Sequence, residues 1–125
     1  MVPPIYPVCL AYEPLRLLLT GADGELKLYP FGLAPDADEL TYPYATWQSI
    51  GGEPSNTLAC RPDSDKWSIQ VNVWGMKSSD VRDVVEQIRD AIEGVSYIVR
   101  WGNQSRDAET LAFGYDFDVD WFTHR

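Results

Sequence analysis

Residues 41–75 read TYPYATWQSIGGEPSNTLACRPDSDKWSIQVNVWG, and the second half of this segment alternates cleanly. Trp67, Ile69, Val71 and Val73 fall on one side, with Ser68, Gln70 and Asn72 on the other. A period of two belongs to a strand with one buried face and one wet face. The chain must therefore build a sheet that is covered on one side. A partner strand begins near Tyr42 and runs to Ile50, and the connection over residues 51–65 is longer than most hairpin loops. Loops of that length in a compact domain tend to be functional or disordered. This one holds prolines and glycines and few core residues, which predicts a projecting arm that contacts another chain.

The flanking patterns complete the domain. Pro14 suits the first turn of a helix, where its missing N–H costs nothing. Leu15, Leu18 and Leu19 then form an apolar stripe that Gly21 stops, and a shorter helical piece precedes it at residues 6–11. Residues 26–29 predict a short strand that Pro30 confines to an edge or an end. Ser78 or Ser79 is placed to cap the clearest helix, with Asp80 and Asp83 in its first turn. Val81, Val84, Val85, Ile88 and Ile92 recur at spacings of three and four, and Gly94 follows them. Two more strands are expected at residues 97–101 and 110–121, joined by a turn at 102–109. The order predicts one α+β domain over residues 1–125. Its mainly antiparallel sheet of about five strands carries two helices on one face.

Composition narrows the function. A length of 125 residues suits one domain with a real core, and 45% hydrophobic content suits a soluble globular one. A net charge of -9 with scattered Lys and Arg argues against a protein that grips nucleic-acid phosphates, and no polybasic run addresses a membrane. Pro3, Pro4 and Pro7 interrupt any secretory signal, and no apolar run reaches membrane-spanning length. The expected compartment is the cytosol, and Cys9 and Cys60 are expected as reduced thiols.

No residue set makes a familiar catalytic centre. Asp116, Asp118 and Asp120 alternate with Tyr115, Phe117, Val119 and Trp121, so three carboxylates share one strand face. They read as a solvated face, or as oxygen ligands for a divalent cation if loops converge on them. His124 is the sole histidine, without a serine or cysteine placed to use it. Cys60 lies in the long connection beside Arg61 and acids, where no base is at hand. Gly51-Gly52 is a turn or hinge, because no lysine-serine pair completes a phosphate loop. Trp74 falls with the polar face of its strand. It is either covered by the segment 76–79 or exposed as an interface anchor. No catalytic, metal or cofactor residue is expected.

One succession of motifs carries a resemblance: Leu28-Tyr29-Pro30-Phe31-Gly32, Ala34-Pro35, Tyr42-Pro43-Tyr44, Trp47-Gln48, Gly52-Glu53-Pro54-Ser55-Asn56, Arg61-Pro62-Asp63-Ser64-Asp65-Lys66-Trp67 and Gln70-Val71-Asn72-Val73-Trp74. In this order the chain resembles the tail terminator, or tail-completion, proteins of long-tailed bacteriophages. The likeness runs over residues 15–121 and is densest over 29–75, while the proline-rich start departs from a plain first helix. It implies a virion structural protein at the head-proximal end of the tail, assembled in the host cytoplasm. Such proteins cap the finished tail tube as a ring, usually of six subunits, stop its polymerisation and present the head-joining surface. The partners it implies are further copies of the chain, the tail tube protein and a head-completion or neck protein. Genomic DNA would pass through the lumen without specific binding, and no membrane is involved. On this reading Glu53, Asn56, Arg61, Asp63 and Trp74 belong to a subunit or tube interface. Asp116, Asp118 and Asp120 line either the lumen or the outside. A neck protein and, in another class, an acidic DNA-mimic inhibitor are the alternatives.

Overall fold

The alternation at Trp67–Val73 becomes the middle of a twelve-residue strand, Ser64–Gly75. A computed structural model describes residues 2–36, 38–54 and 64–124. Its elements are α1 (Ile5–Leu10), α2 (Glu13–Leu19), β1 (Leu28–Pro30), β2 (Tyr44–Pro54), β3 (Ser64–Gly75), α3 (Ser78–Ile92), β4 (Ser96–Arg106) and β5 (Phe113–His124). The strands form one sheet in the order β1-β2-β3-β5-β4. Every pairing is antiparallel except that of β1 with β2. The α+β class and the mainly antiparallel sheet of five strands are as the sequence predicts. The short piece near residues 6–11 is a helix of its own, so three helices pack on the sheet.

The core lies between these helices and one sheet face. Ile69, Val71 and Val73 of β3 and Phe117 and Val119 of β5 are fully buried there, beneath Ile88 and Ile92 of α3. All five residues of the predicted α3 stripe are buried. On α2 the stripe is narrower than expected. Leu15 and Leu19 are buried, whereas Leu18 is 38% exposed, because a two-turn helix turns only one line of side chains toward its neighbour. The α3 cap also differs. Its N-cap is Lys77, and no side chain caps the first turn, so neither Ser78 nor Ser79 acts in that role. Burial pushes the Cys9 thiol up to about 12, which keeps it protonated and unreactive. Cys60 lies outside the described residues.

Strand lengths depart from expectation at two glycine sites. Gly51 and Gly52 do not end β2. A bulge at Ile50 absorbs one residue, and pairing with β3 resumes at Gly51 opposite Ser68 and continues to Pro54 opposite Asp65. The undescribed part of the arm is thus confined to residues 55–63. Likewise Gly102 does not open a turn. Irregular pairing after Ile98 and after Trp101 carries β4 on to Arg106, opposite Phe113, and the turn comes at residues 107–112. Glycine signals a bulge as readily as a turn, and composition alone does not separate them. The expected strand at Leu26 is an isolated bridge to Thr20, and β1 starts two residues later.

Replacing the fully buried Ile88 by alanine should lower unfolding stability by about 2–5 kcal/mol. Leu17→Ala, at a side chain 79% exposed, should stay within about 0.5 kcal/mol of the parent. Urea denaturation followed by circular dichroism reads both.

Candidate assembly surfaces

Among the described residues all helices lie on one side of the sheet, so the other side is open. On it Gln48, Gln70, Asp118 and Arg100 stand opposite one another across β2, β3, β5 and β4. Their side chains form one hydrogen-bonded row. Gln48 Nε2 donates to Gln70 Oε1 at 3.3 Å, and Gln70 Nε2 donates to Asp118 Oδ1 at 3.4 Å. Arg100 Nε donates to Asp118 Oδ2 at 2.7 Å. The Asp118 hydrogen bond and charge hold the Arg100 guanidinium above its ordinary pKa.

The two flanking aspartates are also partnered. Asp120 accepts from Ser68 Oγ at 3.0 Å and pairs with Lys66 Nζ at 3.4 Å. Asp116 pairs with Arg100 Nη2 at 3.4 Å. The three carboxylates share one face, as the alternation requires, but alternate residues of a strand lie roughly 7 Å apart and each of these has a basic partner, Arg100 serving two of them. Three negative charges meet two positive ones, so the face is polar with a small acid excess. Among the described residues no group of three or more His, Cys, Asp or Glu side chains is placed to hold a metal ion.

Two glycines make this face possible. A Cβ at Gly102 would collide with the Asp116 carboxylate and come within 2.6 Å of its carbonyl oxygen. At Gly114 a Cβ would meet the Trp74 ring at 2.8 Å from Cε3. Trp74 therefore lies across β5 on the open face, on the side of the sheet away from α3. Tyr44 stands opposite it on β2, with the Tyr42 and Tyr29 rings tilted against it.

Of the other expected interface residues, Asn56, Arg61 and Asp63 lie outside the described residues. Glu53 sits on β2 opposite Lys66, with its side chain outside the described set. The structure thus extends the base of the arm and brings Trp74 to the open face, and the other side chains of the interface set lie outside the described residues. His124 closes β5 opposite Ser64.

A second surface was not legible in the sequence. Beyond the end of α3's cover, Val81 and Val85 of the helix, Trp101 of β4, and Phe113 and Tyr115 of β5 line a groove of about 480 Å³ with Arg82 at its margin. Trp101 packs on Phe117 at 5.4 Å yet remains 46% exposed. Arg106 lies 4.8 Å above the Phe113 ring. The sequence held one signal, a tryptophan in a segment expected to be a short strand, but only the extension of β4 shows what it faces.

No helix among the described residues is long and apolar enough to cross a membrane. Gly102→Ala and Gly114→Ala should each cost about 1–3 kcal/mol through overpacking. Gly94→Ala, where a Cβ meets nothing within 4 Å, should be near neutral. Equal unfolding midpoints for all three variants would contradict the close approaches described.

Comparison with known proteins gives the setting. A family model described as tail completion protein gp17 matches residues 5–124. A chain in the virion of a native gene transfer agent (GTA) particle is similar in structure, with a TM-score of 0.68 and 11% identity, covering 97% of this chain and 92% of that one. The bacteriophage SPP1 gp17 protein is similar with a TM-score of 0.56 and 14% identity, covering 97% of this chain and 86% of that one. At these identities the two likenesses show the fold. No curated protein matches the chain in sequence.

Proposed function

We propose that this chain, which belongs to the tail completion protein gp17 family, closes a finished phage tail tube as a ring and presents the surface to which the filled head is joined. The family match over residues 5–124, nearly the whole chain, carries this reading and makes the chain a tail structural protein. Its work is binding rather than chemistry. One side of the ring matches the last ring of the tube and blocks further subunits, and the other side receives the neck. Each such contact should bury at least about 1,000 Å². A domain of this length has a radius of gyration near roughly 14 Å and is about 35 Å across, so six in a ring enclose a hole wide enough for duplex DNA.

The open face of the sheet suits the lumen. Its middle is polar, the three aspartates there outnumber Arg100 and Lys66, and a slight acid excess repels passing phosphates without the repulsion that unpaired aspartates would bring to the subunit itself. The pairing of Asp116, Asp118 and Asp120 with Arg100 and Lys66 also counts against an acidic DNA mimic, which needs carboxylates free to meet a partner's bases. The arm at residues 51–65 is proposed to reach the tube or a neighbouring subunit.

Electron microscopy of particles made without this protein tests the reading. Tails of uncontrolled length, detached from full heads, are expected; normal tails on leaking heads would assign the protein to the neck. Asn72→Lys with Thr46→Lys adds positive charge to the open face without breaking the Arg100–Asp118 pair. DNA ejection from such particles should slow, and the delay should shrink at high salt. Unchanged ejection would place this face outside the channel. Arg61→Glu should reduce tail joining while the melting temperature of the isolated subunit stays near that of the parent. Normal joining, or an unfolded subunit, would remove the arm from the contact.

A further inference from the structure

We propose that the groove between α3 and the β4–β5 end takes the Pro30–Leu33 turn of a second copy of this chain, joining neighbouring subunits head to tail. The proposal deepens the ring reading above and rests on it. The turn follows β1 and the groove belongs to β4, the two opposite edges of the sheet. Two different surfaces that fit each other make a heterologous contact, the kind that repeats around a ring.

The turn has the form of a plug. Phe31 is 76% exposed and Leu33 is 70% exposed, so two large apolar side chains stand in water side by side. They are held there rather than left loose. The Leu33 N–H donates to the Pro30 carbonyl at 3.0 Å, and Gly32 has φ +78°, as the third residue of a type II turn requires. Farther along, Lys27 Nζ donates to Thr41 Oγ1 at 3.2 Å and ties the end of the loop back to the start of β1. A preformed apolar turn loses little freedom on docking. The groove is lined by Val81, Val85, Phe113 and the half-exposed Trp101 together with polar side chains such as Ser78 and Gln104, and it has enough volume for large side chains.

Charge points the same way. Residues 22–53 carry six acidic side chains against one basic, while residues 77–106 carry five of each. Asp36, Asp38 and Glu39 come directly behind the apolar pair. At the groove margin Arg89 is held by Asp90 at 3.0 Å, and Arg82, with no ion-pair partner among the described residues, lines the groove together with Glu86, so this margin is near neutral where the turn is acidic. Copies of a chain with net charge -9 repel one another, so a joint between them needs a local match of this kind.

The test uses Leu33→Cys and Gln104→Cys, both at exposed positions, made separately in the full chain with Cys60→Ser and joined by a short bis-maleimide. The mixture of the two should give a covalent dimer at a yield at least about tenfold above either variant alone. Adding Arg82→Glu should lower that yield by roughly tenfold or more, because like charges then face each other. A dimer from Leu33→Cys alone, or its linkage to the tail tube protein in place of this chain, would overturn the proposal. If glutaraldehyde captures the parent protein as a closed ring while the mixture gives no dimer, this joint is wrong and the ring reading stands. If the parent stays monomeric under glutaraldehyde with and without finished tubes, both fall together.

Discussion

A sheet that carries helices on one face only must be made stable in water on the other. Here that task falls to the row from Gln48 through Gln70 and Asp118 to Arg100, which crosses four strands without a gap. Each donor meets an acceptor on the next strand, so the polar face is tied together side to side while the apolar face is tied by burial. The same alternation that places Phe117 and Val119 in the core sets Asp118 into this row and Asp116 and Asp120 on either side of it. The glycines at 102 and 114 give the carboxylate and indole room to lie flat. Core and open face are thus two products of one register.

That register is the part of the fold most legible in the sequence. Period-two alternation in β3 and β5 identified both faces, and the three-four spacing of α3 identified every buried residue of its stripe. What escaped were the places where a local signal has two structural meanings. Gly51-Gly52 and Gly102 read as turns, yet they sit within irregular pairing that lets each strand run on. Leu18 reads as core until the shortness of α2 is known. The aspartates read as charges in search of a use, because their partners Arg100 and Lys66 are brought alongside only by strand pairing.

The candidate surfaces divide in the same way. Trp74 was assigned correctly to the polar face by counting, and its seat on Gly114 needed the structure. The groove beside Trp101 is signalled in the sequence only by that tryptophan, since its shape depends on where α3 begins relative to the end of β4. The motif order carried the family, because it preserves turns, prolines and aromatics whose spacing the fold enforces. Surfaces that bind other chains are set by features at the edges of the sheet, and at those edges the period-two signal is weakest.

The strand order has a consequence for how the molecule comes into being. β5 follows β4 in the chain, yet it lies between β4 and β3. When a ribosome has made α3 and β4, the two strands that will flank β5 must stand apart with an empty lane between them. Filling that lane closes two pairings at once, the longest in the sheet among them, and completes the floor on which the N-terminal helices rest. The β3–β5 half of that closure joins residues far apart in the chain, the kind of contact that slows folding. A nascent or truncated chain that lacks the final twelve-residue strand would lose the middle of its sheet, not its rim, and would present itself to the cell as a client for chaperones.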